Sequence, residues 1–114
     1  MPDRTVFHIP EGAESYGRKA LRNVANLLAD GSIDPDIAIV ANAGGIAHLL
    51  SDALTADSVR DLLDDGVEVC ACRNSIEGSE EYTTKELVDG VVVVSSAMAE
   101  LTRRQSAGYA YVRP

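Results

Sequence analysis

Three times along this 114-residue chain an apolar-periodic segment stops at a glycine and a β-branched or aromatic run begins on the next residue: Gly66-Val67, Gly90-Val91 and Gly108-Tyr109. Glycine adopts the left-handed conformation that closes a helix without steric cost, so each pair predicts a helix end followed by a strand. Crossovers of this length return the next strand parallel to the last and do so right-handedly. The chain can therefore fold into little other than a mostly parallel sheet with helices on its faces.

Five strands are predicted on this basis: Thr5 to Ile9, Ile37 to Ala41, Val67 to Cys72, Val91 to Val94, and Tyr109 to Val112. The run I-A-I-V-A is apolar throughout, as expected of a strand covered on both faces. Between the strands, Tyr16, Ala20, Leu21, Val24, Leu27 and Leu28 form one helical stripe, with Gly31 suited to the left-handed position beyond its end. Ile46 to Leu50 reads as a short helix, and Thr55 as the N-cap of one carrying Val59, Leu62 and Leu63. Arg73 to Glu81 is polar and reads as a loop over the strand tips, its acidic end a solvated surface. Thr83-Thr84-Lys85-Glu86 matches a capping box that starts a short helix ending at Gly90, and Ser95 or Ser96 caps a last helix with Met98, Leu101, Thr102 and Gln105 on one side.

The expected architecture is α/β, a three-layer α/β/α sandwich around a mostly parallel five-stranded sheet, with residues 1–114 forming a single domain. No repeat, linker or low-complexity stretch interrupts it. With 46% hydrophobic residues but one Phe, four Tyr and no Trp, the core must be aliphatic.

The net charge of −8 repels nucleic-acid phosphates and anionic membranes, which argues against either as partner. Eight of the ten basic residues are Arg, and Asp outnumbers Glu ten to eight, a balance that resembles proteins adapted to high salt and suggests a halophilic archaeal source. No apolar stretch approaches the roughly 20 residues of a membrane span, and no basic-then-apolar leader is visible, so a cytoplasmic location is expected. Cys70 and Cys72 occupy positions i and i+2 of one strand, about 6.6 Å apart and on one face, near the upper limit for a disulfide. Free thiols fit a reducing compartment.

In a parallel sheet all C-terminal strand tips share one edge, and open α/β sheets place their chemistry there. That edge collects His8, Asn42, the Gly44-Gly45 turn, Cys72, Arg73, Asn74 and Ser95 with Ser96. Cys72, at the tip of G-V-E-V-C-A-C-R-N-S, is the candidate nucleophile, because backbone amides, helix N-termini and Arg73 all favour a thiolate. Cys70 lies mid-strand and reads as core. His8 is a candidate base or site-lining donor, and His48 reads as a surface residue. Asn42-Ala43-Gly44-Gly45 can offer amides to a small anion but matches no nucleotide fingerprint. His8, His48, Cys70 and Cys72 lack any short metal-ligand spacing, so neither metal nor cofactor is expected.

Taken together, V-F-H-I, A-L-R-N-V-A-N-L-L, V-A-N-A-G-G-I, G-V-E-V-C-A-C-R-N-S and E-L-T-R-R-Q-S-A-G-Y-A-Y-V-R-P resemble the small single-domain proteins of the DsrE/DsrF-like family. The family's Ala-Cys-x-Asn-Thr pattern is matched by Ala71, Cys72, Arg73, Asn74 and, conservatively, Ser75. The resemblance implies sulfur carriage with Cys72 as the persulfide position, sulfur donor and acceptor proteins as partners, and assembly as a homo-oligomer, a trimer or hexamer. The alternatives that the residues leave open are a small-ligand-binding module and a structural oligomer whose cysteines only pack.

Overall fold

The computed structural model describes residues 1–114. Its strands are β1 (Asp3–Ile9), β2 (Pro35–Ala41), β3 (Glu68–Cys72), β4 (Val92–Val94) and β5 (Ala110–Val112), and its α-helices are α1 (Glu14–Ala29), α2 (Ala56–Asp64), α3 (Arg73–Glu77) and α4 (Ala97–Ser106). The five strands form one sheet in the order β4-β3-β2-β1-β5, every pairing parallel. The expected α/β sandwich is the fold observed.

Strand order and handedness together decide which face each helix covers. From β1 to β4 the chain steps one way along the sheet, so right-handed crossovers put α1 and α2 on a single face, here the back. The last connection runs the other way across the whole sheet, and α4 therefore lies on the front. The back face is built from Phe7, Ile9, Ile37, Ile39, Ala41, Val69 and Ala71 against Leu21 and Val24 of α1 and Val59 and Leu62 of α2. On the front, Val6, Ala38, Val40, Cys70 and Cys72 meet only Ala97 and Leu101 of α4. One ten-residue helix covers this face, and Val92, Met98 and Tyr111 stay exposed around it.

The three glycines that announced the fold are the three with positive φ: Gly66 at 92°, Gly90 at 101° and Gly108 at 94°. Gly31 is not among them. Helix α1 ends instead at Asp30 with extended backbone (φ −75°, ψ 114°), and the Asp30 carboxylate accepts from the Ser32 amide and hydroxyl.

Four further local expectations are revised. Arg73–Glu77 is a helix rather than loop, because Ile76, its one large apolar side chain, is drawn into the back core. The capping box at Thr83 does not form, and only a 3₁₀ turn, Thr84–Glu86, appears. Leu87 and Val88 are both buried, which consecutive helical positions achieve poorly; extended backbone lets Leu87 bridge to Leu50 and the Val88 amide donate to the Leu49 carbonyl. Thr55 holds the N-cap position of α2, but its hydroxyl donates to the His48 carbonyl at 2.9 Å instead of capping. The short helix after β2 is 3₁₀ and begins earlier, at Ala43–Leu49.

Candidate functional site

Cys72 ends β3 and is at once the N-cap residue of α3, so its side chain stands at the mouth of a helix. Beside it, the chain leaves β4 for the opposite face, and Ser96 caps α4 by accepting from the Ala99 amide at 3.0 Å. The crevice between β3 and β4 is thus a point where successive connections diverge to opposite faces, the place where such sheets bind ligands. Into it the Ala97 amide donates to Cys72 Sγ at 3.3 Å. Burial pushes the Cys72 thiol up, but the Ser75 hydroxyl and the amides of Ser75, Ala97 and Asn74 around the sulfur outweigh it and hold the thiol below its ordinary range; of these, the Ala97 amide is the one placed in hydrogen-bond geometry. Each donor favours the anion over the neutral thiol.

Ser75 is the residue the sequence reading passed over, having entered it only as a match to a family threonine. Its oxygen accepts from the Ala43 amide at 2.8 Å, which leaves its proton free for the sulfur. Ala43 donates from a left-handed backbone (φ 48°), the one such conformation at a residue other than glycine. A Cys at N-cap with Ser three residues on repeats the spacing of a capping box, a signal that was present in the sequence.

Arg73, by contrast, is exposed and is not among the groups that chiefly set the shift at Cys72. Asn74 serves through its backbone, and Ser95 is exposed beside the crevice.

Cys70 behaves as core. It is 2% exposed, and burial pushes its thiol up despite the Arg104 guanidinium nearby. Arg104 closes a network that pattern did not disclose: it donates to Glu100 at 2.8 Å, to both oxygens of Glu68 at 3.0 and 3.2 Å, and to the Tyr109 hydroxyl at 3.0 Å. The network clamps the far end of α4 onto the start of β3. Both thiols are free.

His8 is not brought into contact with Cys72. The Asn42 carboxamide oxygen can only accept, so Nε2 of His8 donates to it at 2.9 Å, and Nδ1 shares a hydrogen bond of 2.6 Å with the Tyr111 hydroxyl. Both ring nitrogens are occupied, and β2 lies between β1 and β3, which puts His8 two strand spacings, roughly 10 Å, from the row of the cysteines.

His48 is not a surface residue. It is 3% exposed, its ring lies against Gly17 of α1, and Nε2 donates to the Glu11 carbonyl at 2.8 Å. No three His, Cys, Asp or Glu side chains converge to hold a metal.

Three amides of the Asn42–Gly45 turn are already committed within the protein. The amides of Asn42, Ala43 and Gly45 donate to the Ile9 carbonyl, Ser75 Oγ and the Asn42 carbonyl. The two glycines serve close packing: a Cβ on Gly45 would run into the Ile9 carbonyl, and one on Gly44 would lie 2.8 Å from the Gly12 nitrogen.

A groove of about 940 Å³ lies between α1 and α2 on the back, lined by Leu21, Ala25, Leu28 and Leu54 among charged side chains, and no strand-tip residue lines it. The groove and the thiol thus lie in different places, and the donors around Cys72 decide for the sheet edge. No helix is long and apolar enough to cross a membrane.

Comparison with known proteins agrees with this fold. The model of the DsrE/DsrF-like family matches residues 5–114. Among solved structures, a protein of unknown function, MTH1491 from Methanobacterium thermoautotrophicum, superposes with a TM-score of 0.90 at 39% identity, covering 97% of this chain and 98% of that one. The ychN protein from E. coli superposes with a TM-score of 0.83 over the full length of both chains, at 19% identity, which speaks for the fold alone. No curated protein matches the chain.

Proposed function

The chain belongs to the DsrE/DsrF-like family, which is associated with sulfur relay, and from that premise we propose that it is a sulfur carrier with Cys72 as its persulfide site. The observation that carries the reading is the thiol held low by one hydroxyl and three backbone amides at the sheet edge.

The Cys72 thiolate attacks the outer sulfur of a donor persulfide R-S-SH. The donor S–S bond breaks, R-S⁻ leaves with the electron pair, and Cys72-S-SH forms without net oxidation. An acceptor thiolate then attacks that outer sulfur, and the Cys72 thiolate departs to the same donors that stabilised it before. Fixed amides need no reorganisation when charge returns to the sulfur, which is the advantage of backbone donors over a mobile Arg73.

Sulfur donor and acceptor proteins are the partners of this reading, and the cytoplasm its compartment. The protomer works as a homo-oligomer, trimer or hexamer, for which exposed Val92, Met98, Tyr111 and Val112 offer apolar contact surface.

A structural oligomer with inert cysteines is the competing reading, favoured by the 4% exposure of Cys72. Incubation with glutathione persulfide separates the two. Intact-mass spectrometry is expected to show a gain of one sulfur that is absent in Cys72→Ser and reversed by an acceptor thiol. A native wild type that gains no sulfur overturns the proposal.

A further inference from the structure

A row of polar side chains crosses the front of the sheet at its C-terminal edge, from Tyr111 on β5 through His8 on β1 to Asn42 after β2, and the next position in that row is Cys72 on β3. The geometry points to Asn42 as the hydrogen-bond donor to the outer sulfur carried on Cys72, aimed by His8 and Tyr111. This inference deepens the carrier reading and rests on it.

The β2–β3 register pairs Val40 with Cys70 and Ala41 with Ala71. Asn42 remains extended (φ −145°, ψ 173°), and its amide still donates to Ile9 at 3.3 Å. The pleat therefore continues for one more residue, so Asn42 stands alongside Cys72 and on the same face. Adjacent strands are about 4.8 Å apart.

The orientation of the carboxamide is set from the other side. Its oxygen accepts from His8 Nε2 at 2.9 Å, and the His8 ring is held in place by the Tyr111 hydroxyl, 2.6 Å from Nδ1. With the oxygen committed toward β1, the planar amide turns its NH₂ toward β3, and those two protons enter no hydrogen bond within the protein.

Chemistry supplies the reason for such a donor. The amides of Asn74, Ser75 and Ala97 serve Sγ itself, whereas the transferred atom lies one S–S bond further out, about 2 Å beyond Sγ. During both attack and departure the pair forms or breaks at Sγ while the outer sulfur bears a share of negative charge. A neutral NH₂ supports that charge without the tight ion pair a cation would make, so the cargo stays transferable. His8 and Tyr111 touch no reacting atom and are positioning residues.

The test uses Asn42→Ala, Asn42→Asp and Tyr111→Phe in the full chain, with circular dichroism to confirm folding. Two rates are measured at Cys72: alkylation by iodoacetamide, which reads the thiolate, and sulfur gain from glutathione persulfide, which reads the outer atom. Asn42→Ala is expected to slow sulfur gain about tenfold while alkylation changes less than about twofold, in line with loss of one hydrogen bond to a charged group. Asn42→Asp slows it further, and Tyr111→Phe falls between wild type and Asn42→Ala.

Equal effects on both rates, or none on sulfur gain, overturn the assignment. If wild type gains no sulfur, the carrier reading is what fails. The Asn42 donor is then judged by the ratio of iodoacetate to iodoacetamide alkylation, expected to fall about fivefold in Asn42→Ala as the anionic reagent loses its donor. An unchanged ratio overturns it.

Discussion

Gly45→Ala is the substitution that most directly tests how the turn after β2 is seated. The added methyl runs into the Ile9 carbonyl, which already accepts the Asn42 amide. β1 cannot retreat, because it is hydrogen-bonded to β2 on one side and to β5 on the other. The 3₁₀ segment must move instead, taking Ile46 and Leu49, both essentially fully buried, out of register with the back core. Overpacking of this kind costs about 1–3 kcal/mol, and weakening the Asn42–Ile9 hydrogen bond adds about 1 kcal/mol. The smaller conformational freedom of alanine in the unfolded chain offsets about 0.4–1 kcal/mol. The net expectation is a loss of about 2 kcal/mol, read as a fall of about 1 M in the urea midpoint or about 10 °C in Tm. Gly31→Ala is the internal control: its Cβ would meet nothing within 4 Å and its φ is ordinary, so it should be neutral or slightly stabilising. Equal midpoints for the two variants, followed by circular dichroism, would refute the close-approach argument. Because Asn42 opens the displaced segment, Gly45→Ala should also depress sulfur gain at Cys72 more than it depresses alkylation.

Ser75→Ala removes the hydroxyl donor and should move the pH midpoint of Cys72 alkylation upward, with Ser75→Thr close to wild type; an unmoved midpoint would show that the amides alone suffice. Since the folded thiol is held below its unfolded value, its contribution to stability is fully present above the unfolded pKa and is lost as pH falls through the folded one. Wild type should therefore gain stability over Ser75→Ala on raising the pH through that window, measured by urea midpoints. Ala43→Gly relieves a left-handed alanine worth about 1–2 kcal/mol against about 0.4–1 kcal/mol of added chain entropy, so a modest rise in midpoint is expected, and a fall would contradict the strain. Arg104→Ala strips a partner from Glu100, whose side chain is largely buried, and should cost about 2–3 kcal/mol while Cys72 still alkylates in the native state.

Most of the fold was legible because it depends on periodicity and punctuation. Apolar runs of strand length, stripes of helical spacing and Gly66, Gly90 and Gly108 at the junctions each carry their meaning locally. What failed was where tertiary contacts overrode local preference. Ile76 pulled a polar segment into a helix, Leu87 and Val88 pulled a good capping box out of one, and Thr55 found a better acceptor in the His48 carbonyl. Cys72 was legible as the tip of a strand with backbone amides and helix N-termini near it, yet which amides reach the sulfur was not, because that depends on the turn into α3 and on the packing of α4. Arg73 looked like the natural neighbour by adjacency, whereas Ser75 reaches the sulfur through the helix turn that begins at Cys72. The Tyr111–His8–Asn42 row needed the strand order, which places residues about a hundred positions apart on neighbouring strands.

The strand order also makes one crossover carry a double duty. β1 to β4 lie side by side in chain order, whereas α4 and β5 swing back across the front to reach β1. The Ala97 amide that supports the Cys72 thiolate and the Tyr111 hydroxyl that holds His8 both belong to that final stretch. Without that return the sheet would lack the Ala97 donor at Cys72 and the Tyr111 partner of His8, so two supports of one sheet edge depend on a single long crossover over the front face.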